Sequence, residues 1–288
     1  MYYNKIFTLE GLMDLNNFKP EYNLTSDTFL GNEEIYEKKL SRLIGMAKDE
    51  IWEFSNPDFN KSRYYILKNY LCFTYDRLKA ENKLCYLEDG SAMCFNTGLQ
   101  TKQYESDIYA YFVLNNKYPS QSTRKWFFVK FVTDTASELT KFTKLPDIAD
   151  YIDNPADVIF DKKLLPIRFY HNHIVSDNID RFKKIGFDEL SIETIHNILE
   201  TATKKASERV RRNYKIAIPQ FYTDKETSTS KIQLLLPLCL KKQDKADLAL
   251  VVEKEENAYI AKTVLPLDWA YINARRIVRP DVEWIQEF

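Results

Sequence analysis

The pattern of apolar and polar residues is most regular between Ser191 and Arg276, where it predicts one long helix followed by a sheet. Ser191 precedes the helix as a cap residue, because its hydroxyl can accept a hydrogen bond from the first turn. The apolar positions recur every three or four residues, as on a helix with one buried face; they are Ile192, Ile195, Leu199, Ala202, Ala206 and Val210. Apolar runs separated by polar loops then predict an antiparallel meander with a helix after it; they are Ile216–Tyr222, Ile232–Leu240, Leu248–Glu253 and Tyr259–Leu265, and the helix is Asp268–Arg276.

The earlier part of the chain predicts two packing helices, over residues 33–53 and about 62–80, with Asn32 capping the first. Residues 1–31 are mixed and turn-rich, which suggests an arm over the body. An Asp89-Gly90 dipeptide between apolar runs predicts a β-hairpin with a type I′ turn. The expected strands before the long helix are Leu84–Leu87, Ala92–Phe95, Ile108–Leu114, Trp126–Val132, Val158–Phe160 and Ile167–His171.

These elements predict an α+β fold in which N-terminal amphipathic helices pack on a largely antiparallel sheet that ends in the meander. Residues 1–83 would form the arm and the packing helices, and residues 84–288 the main domain, together making one compact unit. The run Ile232–Leu240 is nearly all apolar, so we expect a strand that is buried on both faces. Pro219 and Pro237 lie inside strand-like runs and predict bulges or sheet edges there.

Composition narrows the possible functions. The chain of 288 residues has only six glycines, which argues against the dinucleotide and P-loop folds. Its net charge of −1 gives no overall positive field, so an anion site would have to be a local cluster. The four cysteines show no C-x-x-C spacing, the first residues do not resemble a signal peptide, and no apolar run approaches a membrane span. We therefore expect a cytoplasmic protein without a membrane partner.

The end of the long helix carries the first candidate site. By helical geometry, Asn213 falls on the apolar stripe and Arg209 lies close to it, whereas Arg211 and Arg212 point away. A buried guanidinium needs a carboxylate or an anion, because leaving it unpaired costs several kcal/mol. Arg209 is thus expected to bind an anion or, equally, to form an internal ion pair; its possible partners are Asp247, Asp268 and Glu208.

Two other segments offer chemistry. His171 and His173 could hold a metal if they shared a strand face, but no third ligand is fixed by spacing, so we predict neither a metal nor a cofactor. His173 could instead act as a general acid or base with Arg181 steadying a phosphate, although a structural histidine fits the same pattern. The segment Phe95–Leu99, with Asn96, resembles a turn whose amides could receive an anion.

Residues 85–286 contain a series of short motifs whose order along the chain is informative. They are Phe95–Leu99, the segment from His173 to Arg181, Arg209–Lys215 with Pro219-Gln220, Gln233–Leu238, Ala246–Val251, and Leu267–Arg276 with Pro280 and Trp284. In composition and order they resemble an uncharacterised family of domains of unknown function from bacteria and fungi. Members of that family sometimes occur beside OST-HTH (LOTUS) RNA-binding domains, so the resemblance implies a setting in RNA metabolism, without an activity to carry over.

The leading hypothesis is therefore a protein that binds RNA or a nucleotide, with arginines for phosphate and amides for base edges. The expected site residues are His173, Asn178, Arg181, Arg209, Asn213, Gln220, Asn273 and Arg275, with Asn96 as a further binding residue. One alternative is a metal-independent phosphodiesterase or nucleotide hydrolase that uses His173, Arg181 and Arg209. The other is a protein-interaction module of a defence or toxin–antitoxin system, whose partner would be a protein. DNA is not an expected partner.

Overall fold

The computed structural model describes residues 23–54, 63–164, 166–169, 173–223 and 229–286. Its helices and two five-stranded sheets confirm the predicted α+β class. The chain divides into two compact units, the first ending at Asp150 and the second beginning at Tyr151, and each contains one of the sheets. Most of the predicted N-terminal arm lies outside the described residues. Within the described part of the chain, no helix is long and apolar enough to cross a membrane.

Three helices precede most of the sheet in the first unit. They are α1 (Asn23–Asp27), α2 (Glu33–Met46) and α3 (Tyr65–Ala80). Asn32 caps α2 as predicted, since its side chain accepts a hydrogen bond from the Ile35 amide at 2.9 Å. The helix ends earlier than predicted because Ala47 turns to an extended conformation and forms a β-bridge with Thr101.

The sheet of the first unit has the strand order β1-β5-β4-β3-β2. Its strands are β1 (Thr28–Phe29), β2 (Cys85–Tyr86), β3 (Ala92–Gln100), β4 (Asp107–Leu114) and β5 (Trp126–Thr133). All neighbours are antiparallel except β1, which runs parallel to β5. Helix α3 packs on β3, where the Tyr70 hydroxyl donates to the Thr97 carbonyl at 2.8 Å. The division suggested between residues 83 and 84 therefore falls inside the first unit.

The predicted hairpin between β2 and β3 forms, but its turn differs from the prediction. Of the Asp89-Gly90 dipeptide only Gly90 has a positive φ, of 69°, whereas a type I′ turn requires positive values at both positions. The Asp89 carboxylate instead accepts hydrogen bonds from the amide and hydroxyl of Ser91. These side-chain bonds stabilise a longer connection than the dipeptide alone predicts.

The second unit contains the predicted meander. Its strands are β6 (Arg168–Phe169), β7 (Ile218–Thr223), β8 (Ser230–Leu238), β9 (Leu248–Lys254) and β10 (Tyr259–Leu265), in the order β6-β10-β9-β8-β7. The last four are consecutive antiparallel neighbours, and β6 adds a short parallel edge. Val158–Phe160, predicted as a strand, is not one; Pro155–Val158 form a 3-10 turn that the Asn154 side chain caps.

The described part of this unit contains four α-helices: α4 (His173–Asp177), α5 (Ile179–Lys184), α6 (Ile192–Arg212) and α7 (Leu267–Arg275). Ser191 caps α6 as predicted, with its hydroxyl 3.2 Å from the Thr194 amide. The predicted stripe of α6 packs on the meander, apart from Ile192, which is 46% exposed. This apolar contact fixes α6 against the sheet and leaves the opposite sheet face to other side chains.

The two strand prolines behave differently. Pro219 lies on β7, which is an edge strand as predicted. Pro237 lies on β8, yet the pairing of β8 with β9 shows no register shift there. The reason is that β7 pairs with β8 only as far as Leu235, so Pro237 lies beyond the stretch where β8 is paired on both sides. The meander does contain an irregularity that the sequence analysis did not predict, between Ala261 and Thr263 of β10.

Candidate functional site

The irregularity in β10 places Thr263 beside the short helix α5. The Thr263 hydroxyl accepts a hydrogen bond from Arg181 Nη1 at 3.1 Å and donates one to Asn178 Oδ1 at 3.0 Å. Arg181 Nη1 also donates to the carbonyl of Val264, and Asn178 Nδ2 donates to the carbonyl of Ile174. Two predicted site residues, Asn178 and Arg181, are therefore brought together by a buried hydroxyl group.

The Arg181 guanidinium lies over an aromatic ring. Its central carbon is 5.3 Å from the centroid of Trp269, which lies in α7 and is half-buried. In the described part of the chain this cation has no carboxylate partner. Burial lowers the pKa of Arg181 to about 10, since removing the charged form from water is unfavourable. The guanidinium therefore lacks the counter-charge that such an arginine usually has in a folded protein.

Part of the guanidinium remains available for a ligand. Arg181 uses Nη1 for both of its hydrogen bonds, whereas Nε and Nη2 donate to no group in the described residues. Neither nitrogen is among the fully buried atoms that lack a hydrogen bond, so both reach solvent. The guanidinium is planar and is held in place by Thr263 and the Trp269 ring. Its two remaining donors, Nε and Nη2, can bind two oxygens of one phosphate or carboxylate group.

A carboxylate lies next to this ring in sequence. Asp268 is 6% exposed; its Oδ1 accepts a hydrogen bond from the Trp269 amide at 2.9 Å, while its buried Oδ2 has no hydrogen-bond partner among the described residues. Burial raises the pKa of Asp268, and the backbone hydrogen bond and the Lys184 charge offset this only in part. Asp268 was expected as a partner of Arg209, but it forms no ion pair in the described residues.

Two further predicted site residues, Gln220 and Asn273, belong to a buried hydrogen-bonded amide chain that continues through Gln233 to Glu253. Asn273 Nδ2 donates to Gln220 Oε1 at 3.2 Å, Gln220 Nε2 donates to Gln233 Oε1 at 2.9 Å, and Gln233 Nε2 donates to Glu253 Oε2 at 2.8 Å. Gln220, Gln233 and Glu253 are all under 9% exposed. Because each amide satisfies the next, this chain explains the burial of Gln220 without a ligand.

Glu253 closes the amide chain with charged partners. Lys231 Nζ lies 2.6 Å from its Oε1, and Lys262 Nζ lies 3.6 Å from the same oxygen. Burial by itself raises the pKa of Glu253, but the hydrogen bonds from Lys231 and Gln233 and the charge of Lys262 outweigh it, so its pKa lies below the usual value. Glu253 is therefore held as a carboxylate that orients the amide chain.

At the C-terminal end of α6, the contacts of Arg209 and Asn213 differ from those predicted. Arg209 is half-buried and forms no ion pair in the described residues; its Nη1 donates to Cys239 Sγ at 2.9 Å and its Nη2 donates to the Gln243 carbonyl. Asn213 does not enter the interior, because α6 ends at Arg212 and Asn213 takes an extended conformation with φ −141°. Its exposed side chain caps the next turn by accepting from the Lys215 amide. The geometric argument was therefore wrong for Asn213, and the ion pair predicted for Arg209 does not form in the described residues, whereas its alternative, an anion site at Arg209, stays a prediction.

The turn predicted at Phe95–Leu99 does not form, because these residues lie inside β3. Asn96 is 1% exposed; its Nδ2 donates to Asp107 Oδ2 at 3.0 Å and its Oδ1 accepts from the Gly98 amide at 2.9 Å. Its polar atoms are used within the first unit. A Cβ on Gly98 would come within 2.7 Å of the Tyr70 hydroxyl, so this stretch is closely packed.

The remaining predicted residues lie in separate places. His173 is the first residue of α4 and is exposed, and His171 lies outside the described residues. Arg275 is 6% exposed within α7. Across the described ranges, no group of three or more His, Cys, Asp or Glu residues could hold a metal ion. An open depression of about 730 Å³ at the β9–β10 hairpin has a mixed lining that includes Arg168, Lys254 and two glutamates, so it does not favour anions.

Sequence reasoning missed two residues of the Arg181 site, Thr263 and Trp269. Thr263 lies at the irregular position of β10, and no glycine or proline within that strand marks the irregularity. The sequence contains only a weak indication of Trp269, which lies in the predicted last helix next to the polar residue Asp268. Its role depends on a contact between side chains of α5 and α7, which local pattern does not encode.

Fold and site together define an α+β protein of two sheets, and its second unit presents, on a tryptophan ring, an arginine that has no carboxylate partner among the described residues. The chain belongs to a family described as a domain of unknown function (DUF3825), which matches residues 43–284. The match begins within α2 and extends beyond α7, so one family domain includes both units. Comparisons with curated proteins and with solved structures give no significant match.

Proposed function

We propose that this protein binds RNA or a nucleotide, and that Arg181 contacts a phosphate of the ligand. The observation that carries the proposal is a half-buried guanidinium on Trp269 that has no carboxylate partner in the described chain and keeps two N–H groups open to solvent. The resemblance to domains found beside OST-HTH modules supports an RNA ligand. The proposal places this activity in the cytoplasm, in RNA metabolism.

A phosphate would supply the charge that the site lacks. Burying an arginine without a counter-ion is unfavourable, and an anion that pairs with it recovers part of that cost. Trp269 and Thr263 restrict the rotation of the guanidinium, so the ligand would meet donors that are already oriented. Two parallel N–H groups also favour phosphate over a monatomic anion such as chloride.

The direct test measures the affinity of the full chain for adenosine and uridine monophosphates and for a short RNA, with Arg181→Lys and Arg181→Ala beside the wild type. We expect Arg181→Ala to weaken binding by about tenfold or more, the usual loss for a charged hydrogen bond. Arg181→Lys should recover only part of the affinity, because an ammonium keeps the charge but loses the fork. The nearby Trp269 provides a fluorescence signal for ligand binding.

Arg211→Ala is the matched control. Arg211 is another helical arginine of the same unit, but its side chain is 54% exposed and it lies 3.7 Å from Glu208. Equal losses from the Arg181 and Arg211 variants would refute a specific site and leave only general attraction to polyanions. If no nucleotide or RNA binds the folded wild type, the protein-interaction hypothesis becomes the better one. Shortened RNA on a denaturing gel with chelator present would bring His173 under test as a catalytic residue.

A further inference from the structure

The first unit exposes a pair of aromatic rings at the edge of its sheet. Phe29 of β1 lies directly opposite Phe127 of β5 in the parallel register, and the ring centroids are 5.8 Å apart at 32°. Each side chain is 38% exposed. These two residues and Lys39 form what we call the aromatic edge. Paired rings open to solvent are costly to keep exposed, so they favour a surface that is covered when a partner binds.

One cation lies beside the Phe127 ring, and a second lies beside the neighbouring Trp126 ring. Lys39 Nζ is 5.5 Å from the centroid of the Phe127 ring and donates to the Phe128 carbonyl at 2.6 Å, where β1 no longer covers the edge of β5. Lys125, immediately before the strand, places Nζ 4.9 Å from the centroid of Trp126. Within the described ranges, neither lysine forms an ion pair. The aromatic edge is therefore cationic as well as apolar.

The sequence reinforces this local charge. No acidic residue occurs between Asp107 and Asp134, although the chain as a whole has 42 acids and 41 lysines and arginines. The acid-free stretch contains Lys117, Arg124 and Lys125, which have no carboxylate partner in the part of the chain that the structure describes. A near-neutral protein thus concentrates unbalanced positive charge in the β4–β5 hairpin.

The loop that carries two of these cations is held in place. Asn115 Nδ2 donates to the Arg124 carbonyl at 2.9 Å, and the Asn115 amide donates to the Lys125 carbonyl at 2.8 Å. The Arg124 amide in turn donates to Ser122 Oγ at 3.1 Å. Arg124 and Lys125 therefore lead into β5 from a fixed backbone, and they directly precede Trp126 and Phe127 in the chain.

We infer that the aromatic edge binds single-stranded nucleic acid, with bases stacking on Phe29 and Phe127 and phosphates meeting Arg124, Lys125 and Lys39. Stacking platforms flanked by cations are how proteins hold single strands without reading their sequence. An acidic peptide could satisfy the cations but would leave the flat ring faces without their best partner. The inference names a contact surface outside the Arg181 site, so either one can hold when the other fails.

The experiment titrates the full chain into a fluorescein-labelled oligouridylate of about ten nucleotides, within the range that such surfaces bind. The key variants are Phe127→Leu and Phe29→Leu, because leucine keeps an apolar side chain but removes the flat ring. We expect each leucine variant to weaken binding of the oligouridylate about tenfold, whereas Phe127→Trp should keep the wild-type affinity. Tyr104→Leu is the matched control, since Tyr104 is another exposed aromatic of the first unit, 82% exposed, and its loss should leave the affinity unchanged.

Salt dependence tests the cationic half of the inference. For single strands, each phosphate contact contributes about −0.7 to the slope of log K against log salt, so Lys125→Gln combined with Arg124→Gln should reduce the slope by roughly 1.4. Wild-type affinity in both leucine variants would overturn the inference. A loss in Phe127→Leu that Phe127→Trp does not recover would also overturn it, because docking of a protein would then explain the surface better than stacking.

Different measurements test the Arg181 site and the aromatic edge, so failure of one proposal can be told from failure of the other. The Arg181 site is judged by mononucleotide affinity, which Phe127→Leu should leave unchanged, and the aromatic edge is judged by the oligouridylate. If Arg181→Ala leaves mononucleotide binding intact while both leucine variants lose the oligomer, the Arg181 proposal fails and the aromatic edge stands. The reverse pattern supports Arg181 and rejects the edge.

Discussion

The last turn of α6 offers a prediction in which two arginines of one helix behave differently. Arg209 donates to Cys239 Sγ and to the Gln243 carbonyl, and both acceptors belong to the connection between β8 and β9. Arg211 only approaches Glu208 at 3.7 Å, with both side chains about half exposed. We therefore expect Arg209→Ala to destabilise the second unit, and Arg211→Ala to have little effect.

The magnitude follows from these contacts. A hydrogen bond from a charged donor contributes about 1.5–3 kcal/mol, and the Gln243 carbonyl is at the surface, where water can replace part of it. The expected loss for Arg209→Ala is therefore about 1–2 kcal/mol. An exposed ion pair contributes about 0–1 kcal/mol, so Arg211→Ala should cost about 0.5 kcal/mol or less.

The assay combines urea denaturation followed by circular dichroism with hydrogen exchange of residues 239–247. Arg209→Ala should lower the denaturation midpoint and accelerate exchange in that connection, while Arg211→Ala should do neither. Equal changes in the two variants would refute the assignment of Arg209 as a structural anchor. A neutral Arg209→Ala variant that loses nucleotide affinity would show instead that the anion site suggested by helical periodicity is correct.

Two further predictions concern the first unit. Gly98→Ala should destabilise it by about 1–3 kcal/mol in thermal unfolding, because the new Cβ would lie 2.7 Å from the Tyr70 hydroxyl at a φ of +71°. Gly90→Ala is the control, since Gly90 has a φ of +69° but open space around it, so this substitution adds only backbone strain. Equal losses of stability in the two variants would disprove the clash with Tyr70. Burial raises the pKa of Asp76 to about 6, despite hydrogen bonds from Asn23 that lower it. Because the pKa of Asp76 in the folded protein lies above the ordinary value of 3.8, the contribution of Asp76 to stability is fully present below about pH 4 and is lost as the pH rises through 6. Asp76→Asn should therefore raise stability at pH 7.5, by about 1 kcal/mol after allowance for partial exposure, and should have no effect near pH 4. The same stabilisation at both pH values would contradict this reasoning.

The predicted site residues show where reasoning from local pattern stops. Gln220 and Asn273 were chosen as amides beside a strand interruption and in a helix, and they do form a hydrogen bond. Asn178 and Arg181 also meet, but through Thr263, which no local pattern singled out. Asn213 failed because the projection assumed a continuing helix, whereas asparagine can cap the following turn with its own side chain.

The sequence by itself determined the elements whose causes are local. The apolar stripe and the Ser191 cap predict α6, and the alternating runs predict the four strands of the meander, because helix periodicity, capping and strand pattern depend on residues close together in the chain. Tertiary structure alone decided the division into two units, the irregular register of β10 and the placement of Arg181 over Trp269. These features arise from contacts between residues far apart in sequence, where shape and hydrogen bonding between packed elements select one arrangement among many with the same local pattern.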